Sequence, residues 1–364
     1  MIKERYYLLI LIFFLVSCEK YYHPDIENVP SHFVVDAKIS NILSKNDIHL
    51  TRTRNFYDRQ AVLEVSNAAV SLIEMGGKTI RATESASGHY TFPSVPESGK
   101  QYFLRIIVNN ITYESHAVTM PPLPTITNAY TNKVVYTVNE NSGESTPRTY
   151  QRDGREVYID LPVTSTLSYY RFDVRSLIEW SYTRDLGSLR PDSYGWFSYQ
   201  NNEKFHLVGP RDQTEQGKII KHPMLLIDYT PQLYFHSDLR PLIAHGWILF
   251  FEQYGISKES YEFHEKLNDQ FAATGSLFDP IQTQVYGNII CKSNPSEIVY
   301  GFFDLYSYQE ARYFLNLPKP PLEITFRPIY SYPEIPFDGE IKAEVPSAEN
   351  PNPDPIKPPD WWEE

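Results

Sequence analysis

Two cysteines, Cys18 and Cys291, are all that the 364 residues contain. That is too few for a disulfide framework, so stability must come from a packed core. Glycine is scarce beside proline, 16 against 28, which favours strand-ending turns over long helices. Positive charge is short as well: 33 Lys and Arg face 45 Asp and Glu, a formal charge of −12. Nucleic-acid binding needs a basic face, so that class is set aside. Common enzyme signatures are missing too. His264-Glu265 is followed by Lys266, Leu267 and Asn268, without the second histidine of a zinc-protease helix. Gly77-Lys78-Thr79 ends like a phosphate-binding loop, but Leu72 stands where its first glycine belongs. No serine sits between glycines at nucleophile-elbow spacing. Asp228, His236, Asp238 and His245 fit no metal template. The expectation is a chain with no catalytic residues, no cofactor and no metal site.

No apolar run is long enough to make a comfortable membrane helix. Tyr6 to Val16 comes nearest, an unbroken YYLLILIFFLV behind Lys3 and Arg5. As a helix it would reach only about 16 Å, against roughly 30 Å of bilayer core. A basic start, a short apolar core and a small residue before the cut describe a secretory signal over 1–17. Leu15-Val16-Ser17-Cys18 resembles the lipobox of bacterial lipoproteins. That resemblance makes Cys18 the lipidated first residue of the mature chain. Residues 18–30 then read as a tether, and Cys291 has no partner and reads as a small buried hydrophobe.

What is abundant points to strands. Tyr, Phe and Trp make up 15% of the chain, and aromatic side chains suit pleated surfaces. From 31 to 121 the apolar period is two: Phe33, Val35, Ala37 and Ile39 alternate with Asp36 and Lys38. Hairpin turns are expected at Gly76-Gly77 and Asn109-Asn110. About seven short strands here suggest an immunoglobulin-like or fibronectin-like β-sandwich. Pro121-Pro122-Leu123-Pro124 stiffens the exit. A larger β-rich domain is expected over 125–332, with one prominent helix near 257–273. Ser257 would cap that helix, Phe263, Leu267 and Phe271 would face its core, and Gly275 would close it. Gly143 to Arg155 and Leu186 to Tyr194 read as loops. The tail, 333–364, is rich in proline, and nine acidic residues there oppose two lysines. Two features suggest contact surfaces: the aromatics around Trp196, and the adjacent Trp361 and Trp362 near the end of that tail.

Several blocks together resemble one family. SCEK (Ser17 to Lys20), GHYTFPSVPESGKQYFLRIIV (Gly88 to Val108), TMPPLP (Thr119 to Pro124), GSLFDPIQTQVYGNI (Gly275 to Ile289), NPSEIVYGFF (Asn294 to Phe303) and KPPDWW (Lys357 to Trp362) are similar to the domain of unknown function 4249 family. These are lipoproteins of Bacteroidetes-type bacteria. Paired cysteines expected near the end of many members are missing here. The resemblance implies an outer-membrane lipoprotein beside a TonB-dependent receptor, a large barrel that imports scarce nutrients. The expected function is therefore a non-catalytic accessory that captures or gates a peptide or glycan. A structural or adhesive surface protein is the alternative, with an unrecognised hydrolase behind it.

Overall fold

Alternating apolar positions become strands with one face turned inward. In β1 (Phe33–Ser40) the side chains of Phe33, Val35, Ala37 and Ile39 are fully buried, while Asp36 and Lys38 face solvent. The computed structural model describes residues 31–54, 62–140, 148–182, 193–200, 205–228, 232–233, 242–272, 284–316 and 326–328. Short strands follow β1: β2 (Asp47–Arg52), β3 (Leu63–Glu64), β4 (Ala69–Glu74), β5 (Thr79–Arg81), β6 (Thr83–Ala86), β7 (His89–Thr91), β8 (Gln101–Val108), β9 (Ile111–Ser115) and β10 (Val118–Thr119). Both expected turns are present. Gly76 has φ +73°, and Asn109 and Asn110 have φ 50° and 61°, the left-handed pair that a two-residue hairpin requires.

Longer strands come next: β11 (Asn128–Glu140), β12 (Arg148–Pro162), β13 (Tyr170–Tyr182), β14 (Ser193–Gln200), β15 (His206–Val208), β16 (Lys218–Asp228), β17 (Gln232–Leu233) and β18 (Leu242–Gly255). The helix α1 (Lys258–Ala272) precedes β19 (Ile289–Cys291), β20 (Val299–Asn316) and β21 (Phe326–Pro328). The described parts of the two expected loops are strand: 148–155 belongs to β12 and 193–194 opens β14, while 143–147 and 186–192 lie outside the described residues. Trp180 and Tyr182 lie on β13, and Tyr194, Trp196, Phe197 and Tyr199 on β14, two strands that pair antiparallel.

The fold is mainly β and built as sandwiches. One large sheet runs β14-β13-β18-β20-β1-β2-β7-β6, a second runs β19-β9-β8-β4-β5, and a third runs β11-β12-β16. The first core lies between the β20-β1-β2-β7 part of the large sheet and the second sheet. Phe33, Val35, Leu50 and Phe303 meet Leu72, Leu104, Ile106 and Tyr113 there. Each such side chain contributes about 2 kcal/mol by leaving water. The second core lies between β13-β18-β20 and the third sheet: Tyr170, Phe172, Leu249 and Phe251 pack on Val157, Ile159, Leu161 and Ile219.

One strand serves both cores. The first half of β20 pairs in parallel with β1, from Phe33↔Val299 to Ser40↔Tyr306. Its second half pairs antiparallel with β18, from Gly255↔Ser307 to Gly246↔Asn316. At about 3.3 Å per residue its 18 residues extend roughly 60 Å. This corrects the expected boundary at 121. The first sandwich is completed by β19, which pairs with β9, and by the first half of β20, so the intervening chain is an insertion between β10 and β19. The physical reason is that β1 needs a neighbour on the side away from β2, and a parallel neighbour must arrive by a long crossover. Glycine makes the junction possible. A Cβ on Gly301 (φ +89°) would lie 2.0 Å from the Val35 carbonyl oxygen, and one on Gly287 would lie 1.5 Å from the Gly301 oxygen. The side chain of buried Asn288 then both donates to the Phe303 carbonyl (2.9 Å) and accepts from the Phe303 N–H (2.8 Å).

Candidate functional site

The face of the large sheet opposite the second core carries charge where a core would ordinarily be apolar. Register explains how these residues meet. Arg171 of β13 stands opposite Tyr254 of β18, which stands opposite Tyr308 of β20. One step along, Asp173, Glu252 and Glu310 form a row of carboxylates. One step further, Phe250 lies between Arg175 and Arg312, with the two guanidinium carbons 5.5 and 5.2 Å from its ring centroid. Arg175 bridges Glu252 at 3.0 Å and Glu310 at 3.1 Å, and Arg312 Nε donates to Glu310 at 2.6 Å. These four side chains are only 12–18% exposed, so the ions hold one another in a medium poor in water. Breaking such a pair costs more than forming it contributes.

Helix α1 covers the Arg171 end of this band. Ser257 caps it as expected, its Oγ accepting from the Ser260 N–H at 3.0 Å. The expected apolar face is only partly right. Phe263 stacks on Phe302 at 4.3 Å, but Phe271 is exposed, and the buried helix residues are Ser260, Tyr261 and His264. Gly275 lies outside the described residues. His264 Nδ1 is 2.8 Å from the Ser260 carbonyl. A carbonyl can only accept, so Nδ1 carries the proton and Nε2 accepts from Arg171 Nη1 at 3.2 Å. Burial, with the Arg171 charge adding to it, pushes the His264 pKa down, and nearby Asp304 only partly offsets this. Arg171 sits 3.9 Å above the Tyr254 ring and 4.0 Å from Asp304. Its charge is opposed by burial but kept by Asp173, Asp304 and Tyr254.

Chemically, this arrangement holds charge in place. Ser260 Oγ lies 3.3 Å from His264 Nδ1, superficially like a nucleophile and its base. The opposite ring nitrogen faces an arginine instead of a carboxylate, so an imidazolium there would meet a positive charge. Ser260 is also fully buried. A histidine pair occupies the edge of the second core, with His206 Nε2 and His222 Nε2 2.9 Å apart. Burial, and then the charge of His222, pushes His206 down to about 4. Burial also lowers His222.

The residues singled out from the sequence fall elsewhere. Trp196 lies on β14, opposite Glu179, in what is the terminal strand of the large sheet among the described residues. Cys18, Trp361 and Trp362 lie outside the described residues, as do His236 and Asp238. Cys291 is free and buried in the first core. The sequence carries no signal of the charged band, because Arg171, Asp173 and Arg175 alternate with Tyr170, Phe172 and Val174, the pattern of a strand with one face in solvent. Among the described residues no helix is long and apolar enough to cross a membrane, which says nothing of a β-barrel. A family model described as "Domain of unknown function (DUF4249)" matches residues 19–312. No curated protein and no solved structure matches the chain.

Proposed function

The chain belongs to the domain of unknown function 4249 family, and from that premise we propose that it is a non-catalytic lipoprotein of the outer membrane, held by a lipid on Cys18. In this reading it is an accessory of a TonB-dependent receptor that captures or gates a peptide or glycan. The observation that carries the anchor is positional: the family match begins at residue 19, directly behind the cysteine that follows the short apolar leader. Shared sequence thus starts where a lipidated mature chain would start. The sheet edge supports a peptide ligand. Among the described residues β14 ends the large sheet, and a terminal strand offers backbone donors and acceptors to which an extended peptide can add. Trp196 sits in that strand.

Labelling cells with a fatty-acid probe tests the anchor. Cys18→Ala removes the label and releases the protein from the membrane; equal label in mutant and wild type overturns it. Pull-down from solubilised outer membranes tests the partner. Wild type recovers a large barrel, and the Trp361→Ala, Trp362→Ala double variant recovers at least ~30-fold less, since losing an aromatic anchor typically costs about 2 kcal/mol. Changing the tail glutamates to glutamine has little effect, because charge screened by salt adds little affinity. If wild type recovers no barrel, the structural or adhesive alternative takes the place of the accessory.

A further inference from the structure

On the outer face of the first sandwich, far in sequence from the charged band, three strands bring His49, Glu64 and His89 together. In β2 the side chains of Ile48 and Leu50 enter the core, so Asp47, His49 and Thr51 point the other way. His89 of β7 stands directly opposite His49, and their rings stack at 4.1 Å with 8° between planes. Glu64 of β3, which pairs with β2 two residues further on, reaches back so that its Oε2 lies 2.7 Å from His49 Nε2. One ligand atom from each of the three lies within 4.8 Å of the others, and no other such group occurs among the described residues.

The backbone beneath is organised around this meeting. Leu50, fully buried, donates its N–H to the Gly88 carbonyl at 2.8 Å and accepts from the Val65 N–H at 2.9 Å. One core residue therefore ties down the neighbours of all three side chains. Gly88 is left-handed (φ +73°), and a Cβ there would lie 2.3 Å from Glu64 Oε2. The turn before His89 thus leaves room for the carboxylate. Glu84 fixes that turn, accepting from the N–H groups of Asn67 (2.9 Å) and Gly88 (3.3 Å). Asp47 approaches His89 Nδ1 at 3.5 Å, an outer carboxylate of the sort that orients a ligating histidine.

We propose that His49, Glu64 and His89 form a binding site for a divalent transition-metal ion, zinc being the natural occupant, with the remaining coordination positions open to solvent. Two imidazoles and one carboxylate are a borderline donor set. It suits zinc, and it suits calcium or magnesium poorly, because those ions take oxygen ligands. Ligand atoms on a tetrahedral zinc stand about 3.4 Å apart at ~2.1 Å from the ion. Separations that now lie within 4.8 Å must therefore close by at most roughly 1.4 Å, and the His49–Glu64 pair, 2.7 Å apart, must open by roughly 0.7 Å. The side chains are 28–39% exposed, which leaves each free to turn by that amount, while Leu50 holds the strands. The proposal does not depend on the lipid anchor or on any receptor.

Calorimetric titration of the full chain, purified in detergent and stripped with a chelator, tests it. Zinc chloride should bind the wild type at one equivalent. Glu64→Gln, which preserves shape beside Gly88, should weaken binding by about 10-fold or more, and the His49→Gln, His89→Gln double variant should abolish it. His32→Gln should bind like the wild type, and calcium chloride should not bind at the same concentration. Cobalt chloride added to the wild type should give visible absorption bands of a low-coordinate site, a readout independent of whether any variant folds. Melting of the zinc-free variants at the wild-type temperature shows that lost binding is not lost folding. No binding by the wild type, equal binding by all variants, or equal binding of calcium overturns the proposal.

Discussion

Along β20 two halves of a single strand meet opposite surroundings. Phe303 and Leu305 in the first half enter an apolar core closed by the second sheet. Glu310 and Arg312 in the second half belong to a band of charges on the face away from the second core. The first region draws its stability from shape, where any added atom is felt. The second adds a layer whose stability depends on every charge keeping its partner. The two regions should therefore fail under different insults.

The most damaging substitution should be at the backbone crossing of the first region. Gly301→Ala places a Cβ 2.0 Å from the Val35 oxygen in a left-handed residue, so β20 must leave β1. A loss of about 5 kcal/mol or more is expected, measured by urea unfolding. A loss under about 1 kcal/mol would mean that the parallel pairing of β1 and β20 does not hold the sandwich together.

Next comes the charged layer. Asp304→Leu leaves Arg171 with less compensation at 10% side-chain exposure and should cost about 3 kcal/mol. Adding Arg171→Met to it should recover most of that loss, because removing both charges also removes the penalty of burying them. Recovery distinguishes the second region from the first, where two truncations would only deepen the cavity.

Acid sharpens the same contrast. His206, His222 and His264 all belong to the inserted region, and burial lowers all three. A histidine with a depressed folded pKa takes up its proton in the unfolded chain first. Stability is therefore full above about pH 6.5 and declines as pH falls towards the folded value, about 4 for His206. His206 alone should remove about 2 kcal/mol between pH 7 and 5. His206→Gln should flatten the slope of melting temperature against pH over that interval. An unchanged slope would mean that this ring is not held neutral.

How much of this was legible beforehand follows from what a period of two can say. Alternation identified which face of β1 is buried and where the Asn109-Asn110 turn falls. It could not name partners, and β1's neighbour lies more than 250 residues away, at Val299. Nor could it recognise a charged face as buried: Glu310 and Arg312 look like solvent positions until β13 and β18 surround them. The helix was found through its Ser257 cap. Its inner face departs from the apolar expectation because Ser260 and His264, polar by type, help to fill it. His49, Glu64 and His89 had no signal at all, since a set built across three strands has no fixed spacing. Of the residues chosen as contacts, only Trp196 falls on a described strand.

The smallest effect should come from the exposed bridge between the regions. His116, just past β9, meets Glu259 of α1 at 2.8 Å, with the two side chains 56% and 40% exposed. It is a visible link between first sandwich and insertion, and it is in water. An exposed pair gains little because solvent already stabilises both groups and holding them together costs side-chain freedom. Glu259 also favours the positive end of its helix, from its first turn, which adds a few tenths of a kcal/mol. Glu259→Gln should therefore change stability by less than about 1 kcal/mol, and the effect should shrink in salt. Unfolding should remain a single transition, because coupling between the regions runs through β20 and through the buried Ser307 hydroxyl that donates to the Pro122 carbonyl at 2.6 Å. Two separated transitions in calorimetry of Glu259→Gln would show the reverse: that the surface pair joins the regions and the shared strand does not.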